Sequence, residues 1–362
     1  MKKLITQQSI RNLLLHCAKA QPGQRLLIAY EPSSFGFFSS KIIEQVAAGA
    51  LELGLLVECL DVGFSAENPS MNPELLAAIE DADIVVFLAR LGDQLRFSEM
   101  PKGKAIINSY TLNEHLLNSA FASAHYDAFL ALKHAADRCI ADAQLITITC
   151  PAGTSVCGNP NLQHKKQTDT ALKRFPMSVF SPVPAQGFSG KVALAGFLTG
   201  TGSQYYDNYT VEFEGQVFAV LEAGRLAGFE GLASDVSAAN AHYDRVAGLF
   251  EIDRNFVHSW HAGIHPGCGF PWNIRQDYER WGGVAFGNPR VLHFHTCGNY
   301  APGEISWNAL DPTIVVDGVT IWENGVFRAD KLPEGPDILK QFPCAASAFA
   351  HPDRNIGLLE KA

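Results

Sequence analysis

The chain lacks several features that would have announced its class. No stretch approaches the roughly 20 consecutive apolar residues of a bilayer-crossing helix, so a membrane protein is not expected. Behind Lys2 and Lys3 the apolar run covers only residues 13–15. That is too short for the core of a secretory signal, and the expected location is the cytoplasm. Positive charge is scarce: 28 Lys and Arg stand against 37 Asp and Glu, a formal charge of −9. Nucleic-acid surfaces need a basic patch, so neither nucleic acid nor membrane is an expected partner, and a small-molecule substrate is. The eight cysteines include no Cys-x-x-Cys pair. Scattered thiols in a long chain read as free and buried, Cys268 and Cys297 included, although both fall inside a histidine-rich stretch. Nucleotide loops are missing too. Residues 31–36 after the first apolar strand carry no Gly-x-Gly-x-x-Gly, and no Gly-x-x-x-x-Gly-Lys-Ser/Thr occurs. Residues 198–202 (LTGTG) read most simply as a hairpin turn.

What is present first is alternation. Short apolar runs at 25–30, 56–62, 84–88 and 105–107 read as buried strands. Between them, 41–53, 73–82 and 112–124 show helical spacing, with Asn72 as a cap before Pro73. A further helix is expected at 10–20 and another at 126–143, followed by a strand at 144–150. This pattern predicts an α/β N-terminal domain over 1–150, a parallel sheet with flanking helices. Residues 151–190 hold a cluster of prolines and a polar stretch at 163–167, and read as a connecting segment. Residues 191–362 form the expected α+β C-terminal metal-binding domain. It begins with strands at 192–197, 211–213, 217–222 and 225–230, a predicted β-meander, and a helix at 233–250. His242 on that helix reads as an ordinary helix residue.

The chemistry concentrates between 257 and 318. Five of the twelve histidines, His258, His261, His265, His293 and His295, lie there, with Glu304 just after. Neutral imidazole with carboxylate is the donor set of Zn, Fe, Mn and Co sites. Residues 290–296 predict a strand with His293 and His295 on its non-core face, Leu292 and Phe294 on the other. Two neighbouring imidazoles suit a metal better than packing, the alternative being a solvated edge. Pro302 and Gly303 make a turn able to bring Glu304 back over the strand end, as metal ligand or general base. In a strand, His258 and His261 point opposite ways, which favours His261 as ligand with His258 next. His265, on the turn before Pro266, suits proton transfer. Tyr300 can orient a substrate or donate to an anionic intermediate. Asp277 and Glu279, on a short helix at 273–280, read as a solvated face or as supporting carboxylates. Trp260 and Trp307 read as core before pocket wall.

Several pieces then line up in series. These are Gly-Arg-x-x-x-x-Glu-Gly at 224–231 before a helix, Gly-Ile-x-Pro at 263–266, the histidine-bearing strand, and Pro-Thr-x-x-x-Asp-Gly at 312–318. Together they resemble the aminopeptidase T family of metalloenzymes, nearest in ligand type to its 2,5-dihydroxypyridine 5,6-dioxygenase branch. The resemblance covers chiefly the chain from 190 onward. It implies a C-terminal metal domain, a homo-oligomer and one of two chemistries. The family's peptidases hold two metals with Glu, His and Asp; its dioxygenases hold one Fe(II) with two His and one Asp. Its ligand before the Gly-x-x-Pro turn falls near His258 or His261, a histidine as in the dioxygenases. Its later His-x-Asp element, due near 304–308, is absent, so either Glu304 substitutes or His293 and His295 take that role. The expectation is a mononuclear non-haem Fe(II) dioxygenase that opens a small hydroxylated N-heteroaromatic ring such as a dihydroxypyridine. Zn, Mn or Co are the alternative metals, and a metal-dependent aminopeptidase or amide hydrolase is the alternative activity.

Overall fold

The structure is a computed structural model that describes residues 2–67, 69–160, 171–298 and 302–358. The polar stretch at 163–167 and Tyr300 lie outside the described residues.

A five-stranded parallel sheet organises the first part. Its order is Leu56–Asp61, Arg25–Tyr30, Ile84–Leu88, Ala105–Ser109, Lys173–Phe175. All five residues of Ile84–Leu88 are buried, as expected of a parallel strand covered on both faces. Helix Ser40–Glu52 starts where Ser39 accepts from the Lys41 N–H, and Pro73–Asp81 starts where Asn72 accepts from Leu75. The helix expected over 112–124 is instead two single turns, Glu114–Leu117 and Ala120–Ser123. Asn113 and Ser119 each cap a fresh start there, so one continuous spacing holds two short pieces. The fifth strand, Lys173–Phe175, arrives from the stretch read as a connection.

The remaining strands form two sheets that are antiparallel throughout. The meander expected from 192 to 230 does not form as one unit. Phe188–Ala193, Phe218–Glu222 and Arg225–Glu230 join an eight-stranded sheet, whereas Phe197–Gly200 and Thr210–Glu212 join a six-stranded one. Alternation marks a segment as a strand but does not name its partner. The six-stranded sheet runs Thr210–Glu212, Phe197–Gly200, Ile305–Leu310, Val291–Thr296, Val257–Ala262, Val183–Pro184. Trp260, Phe294 and Trp307 sit in adjacent registers on one of its faces and are fully buried, so both tryptophans are core. The fold is thus an α/β parallel-sheet part joined to an α+β part. Among the described residues no helix is long and apolar enough to cross a membrane.

Candidate metal centre and its cavity

Register builds the histidine face. In the six-stranded sheet His261 lies opposite His293, Ser259 opposite His295, His295 opposite Ser306 and His293 opposite Asn308. Directly opposed residues share a face, so three imidazoles from two strands come to one side with Ser259, Ser306 and Asn308. The pairing slips by one residue between Val257 and Ser259. That bulge undoes the simple alternation at His258, whose Nδ1 reaches Ser259 Oγ at 2.8 Å. Val291–Thr296 is an interior strand buried on both faces, and His293 is 2% exposed. The solvated edge that was the alternative for this face is therefore not what forms: the face is interior and borders a cavity.

The donor atoms of His261, His293 and His295 all lie within 4.8 Å of one another. His261 Nδ1 meets the Phe180 carbonyl at 2.9 Å, and His295 Nδ1 meets Glu304 Oε1 at 3.0 Å. Both acceptors call for a proton on Nδ1, which leaves Nε2 of each ring as a lone pair. Those two Nε2 atoms are 3.1 Å apart. Two lone pairs at that distance require positive charge between them, either an extra proton on one ring or a cation. Two nitrogens about 2.1 Å from a shared metal stand about 3.0–3.4 Å apart, so the spacing suits a cation. His293, stacked on Phe286 with ring centroids 4.0 Å apart, has a buried Nδ1 without a partner among the described residues. A shared proton serves two rings; a metal serves three. Burial and the neighbouring imidazoles hold His261 and His293 well below the ordinary histidine value, so both stay neutral and able to ligate. Burial, then His295, lowers His258 to about 4.

Glu304 was expected as ligand and base, and its two oxygens are engaged. Oε1 faces His295 Nδ1, and Oε2 accepts from Arg96 Nη2 at 2.9 Å. Burial works to raise its pKa, but His295 and Arg96 outweigh it and hold the carboxylate ionised. In this geometry Glu304 sets the orientation and tautomer of His295, the usual partner of a metal-binding imidazole. His265 is placed elsewhere. It is fully buried, stacked on Phe129 with centroids 3.7 Å apart and edge-on to Phe121, and its Nδ1 accepts from the Gly267 N–H. Burial lowers it to about 3, and it does not reach the cavity described below, so the proton-transfer role falls away. The Gly263–Pro266 turn carries the chain out of the sheet before that residue. Tyr300 lies outside the described residues. Asp277 caps helix Tyr278–Ala285. Glu279 is not solvated: it accepts from Arg90 Nη1 at 3.0 Å and from the Gln204 N–H at 2.7 Å, and burial raises it to about 7 against the pull of Arg90. Cys268 and Cys297 are buried free thiols outside the histidine trio.

The trio opens on a cavity of about 370 Å³. Its other walls come from the α/β part, at the edge where the parallel strands end. Ligands gather at that edge in such sheets. After Ile84–Leu88, Arg90 is held by Glu31 at 2.6 Å and by Glu279. Asp93 accepts from Tyr110 at 2.7 Å, from the Ser203 N–H at 2.8 Å and from Arg96 at 3.1 Å. Burial opposes ionisation of Asp93, yet Arg96 and these hydrogen bonds keep it ionised. Arg96 therefore bridges Asp93 and Glu304, tying the strand-end loop to the histidine face. None of Arg90, Asp93, Arg96 or Arg174 was singled out in the sequence. Arg90 carries a signal there, a charged residue just after a buried strand; Arg174 lies within the short strand Lys173–Phe175 and carries none. A second grouping, His16, His125 and Asp127, is already committed: His125 caps helix Tyr126–Ala141, and Asp127 pairs with Lys19.

No protein-family model matches the chain, and no curated protein matches it in sequence. Solved structures do match in fold. A 2,5-dihydroxypyridine dioxygenase from Pseudomonas putida KT2440 superposes with a TM-score of 0.59 at 13% identity, covering 92% of this chain and 99% of its own. AmpT from Thermus thermophilus superposes at 0.50 and 11% identity, covering 91% of this chain and 100% of its own. The chain shares the fold of both, the fold that its motifs resemble.

Proposed function

We propose that the chain is a metal-dependent enzyme acting on a small aromatic molecule in this cavity. One observation carries the reading: three imidazoles, two of them buried and one half-buried, with their donor atoms within 4.8 Å, at the wall of a cavity lined by Tyr110, Phe180 and Phe286. His261, His293 and His295 would hold the ion, and Glu304 would fix His295 from behind. Fe(II) is the proposed metal, and it would supply open positions where substrate and O₂ meet. The activity proposed is opening of a small hydroxylated N-heteroaromatic ring. It is supported by the fold shared with a dihydroxypyridine dioxygenase and by the aromatic walls. The protein's own share would be to exclude water, to offer aromatic walls at Phe180 and Phe286, and to keep His261 and His293 neutral. A cytoplasmic homo-oligomer belongs to the same proposal.

A second reading has its own support. Three histidines with an open fourth position are also a catalytic zinc pattern, and the AmpT fold accompanies it. In that case the activity is hydrolysis of an amide. Elemental analysis of the full chain, purified without oxygen beside a His293→Ala/His295→Ala variant, separates these. About one iron per chain, lost in the variant, with O₂ uptake on a dihydroxypyridine, supports the oxygenase. Zinc, manganese or cobalt with amide cleavage supports the hydrolase. No metal in either protein ends both.

A further inference from the structure

We infer that the cavity is selective for a small aromatic acid, its carboxylate paired with Arg174 and its polar ring substituent turned toward the three histidines. The inference rests on the reading of this cavity as the substrate site. Four cations line it, Arg96, Lys133, Lys173 and Arg174, against one carboxylate, Asp93. The protein as a whole carries −9, so this excess runs against its own composition.

Three of the four cations are spoken for. Arg96 spans Asp93 and Glu304, Lys133 holds Asp137 at 2.9 Å, and Lys173 donates to the Cys17 carbonyl. Arg174 differs. It is half-buried, and among the described residues it makes no salt bridge or hydrogen bond, although its charge acts on the Asp93 carboxylate that Arg96 and Tyr110 already hold; its guanidinium lies over the Tyr110 ring, 4.0 Å from the centroid. A guanidinium over an aromatic face keeps its N–H edges available, and that planar fork matches a carboxylate in bidentate fashion. Withdrawing a cation from water with its donors unused is unfavourable, so an anionic group beside Arg174 relieves a cost that a neutral ligand leaves standing. Arg174 and the three histidines line the same cavity.

Size and lining set the rest of the ligand. About 370 Å³ lies at the small end of ligand sites, which run from about 300 to 1,000 Å³. Phe97, Tyr126, Phe180 and Phe286 give the lining an aromatic character that suits a flat body. One cation without a salt bridge or hydrogen bond among the described residues of the lining suits one carboxylate, not a polyphosphate.

The test is calorimetric titration of the full chain, metal-depleted and metal-loaded, with 3-hydroxybenzoate and a hydroxypyridine carboxylate against their amides. The acids bind at least about tenfold tighter than the amides. Arg174→Gln removes that preference while the amide affinities hold, and Arg174→Lys restores part of it; melting temperatures confirm that both variants fold. Equal binding of acid and amide to the wild-type chain overturns the inference. So does a preference that survives Arg174→Gln, or failure of every probe to bind at millimolar concentration. Preference in the metal-depleted protein isolates this result from the metal proposal: lack of metal sinks that one alone, and loss of discrimination sinks this one alone.

Discussion

The two sides of the cavity handle buried polarity in opposite ways. On the strand-end side Arg96 is answered by Asp93 and Glu304, and Arg90, just outside the cavity lining, by Glu31 and Glu279. On the sheet side the polar atoms are left short. His293 Nδ1 and Asn308 Nδ2 have no partner among the described residues, and two imidazole nitrogens face each other at 3.1 Å. A satisfied buried network stabilises a shape, whereas an unsatisfied one marks where something else belongs. Arg174 is the exception that crosses over, a cation on the charged side left open toward the cavity.

That contrast can be broken by experiment. The largest effect is expected from Arg90→Met, which leaves Glu31 and Glu279 buried without their cation. Loss of one partner from such a pair costs about 3–5 kcal/mol, readable as a lower midpoint in denaturant unfolding. A change below about 1 kcal/mol would show that the charged side is not the scaffold described. Next comes Glu304→Gln. Partners behind a metal-binding imidazole typically contribute about 10–100-fold in affinity, so chelator competition should report a loss of that size with the fold intact. Complete loss of metal would instead make Glu304 a ligand.

Acid should act on the histidines first. His265 and His242 have folded values of about 3 and about 4, each lowered chiefly by burial from an ordinary 6.5. The unfolded chain binds more protons between those limits, so these residues cost no stability above pH 6.5 and an increasing amount as pH falls toward 4. Glu279, raised by burial to about 7, runs the other way, favouring the folded state below its unfolded value and losing that gain as pH rises toward 7. A melting temperature that drops below pH 6.5 and a shallower acid limb in His265→Leu are the expected readings. An unchanged limb in that variant would place the protonation elsewhere. The smallest effect is His265→Leu on metal content, which should stay at the wild-type ratio. Loss of metal there would return His265 to the site.

Much of this was legible before any coordinates. The His-x-His alternation puts His293 and His295 on one face, and strand register sets His261 opposite His293 on that same face. His265 misled because four residues of separation in sequence say nothing about a turn that leaves the sheet. Glu304 was found by proximity to the histidines, but its engagement by Arg96 spans 208 positions. The split of the 192–230 strands between two sheets was equally hidden, since partner choice depends on what the rest of the chain presents.

The sequence by itself determined the local grammar: buried parallel strands, a cap at Asn72, imidazole and carboxylate donors crowded between 258 and 304. Those follow from side-chain periodicity and short-range hydrogen bonding, which act within a few residues. Only the tertiary structure decided which donors converge and which charges stay unmatched. Strand register and the meeting of the parallel-sheet edge with the histidine face couple residues far apart along the chain. No local pattern encodes that a guanidinium at 174 will line the same cavity as imidazoles at 261 and 293.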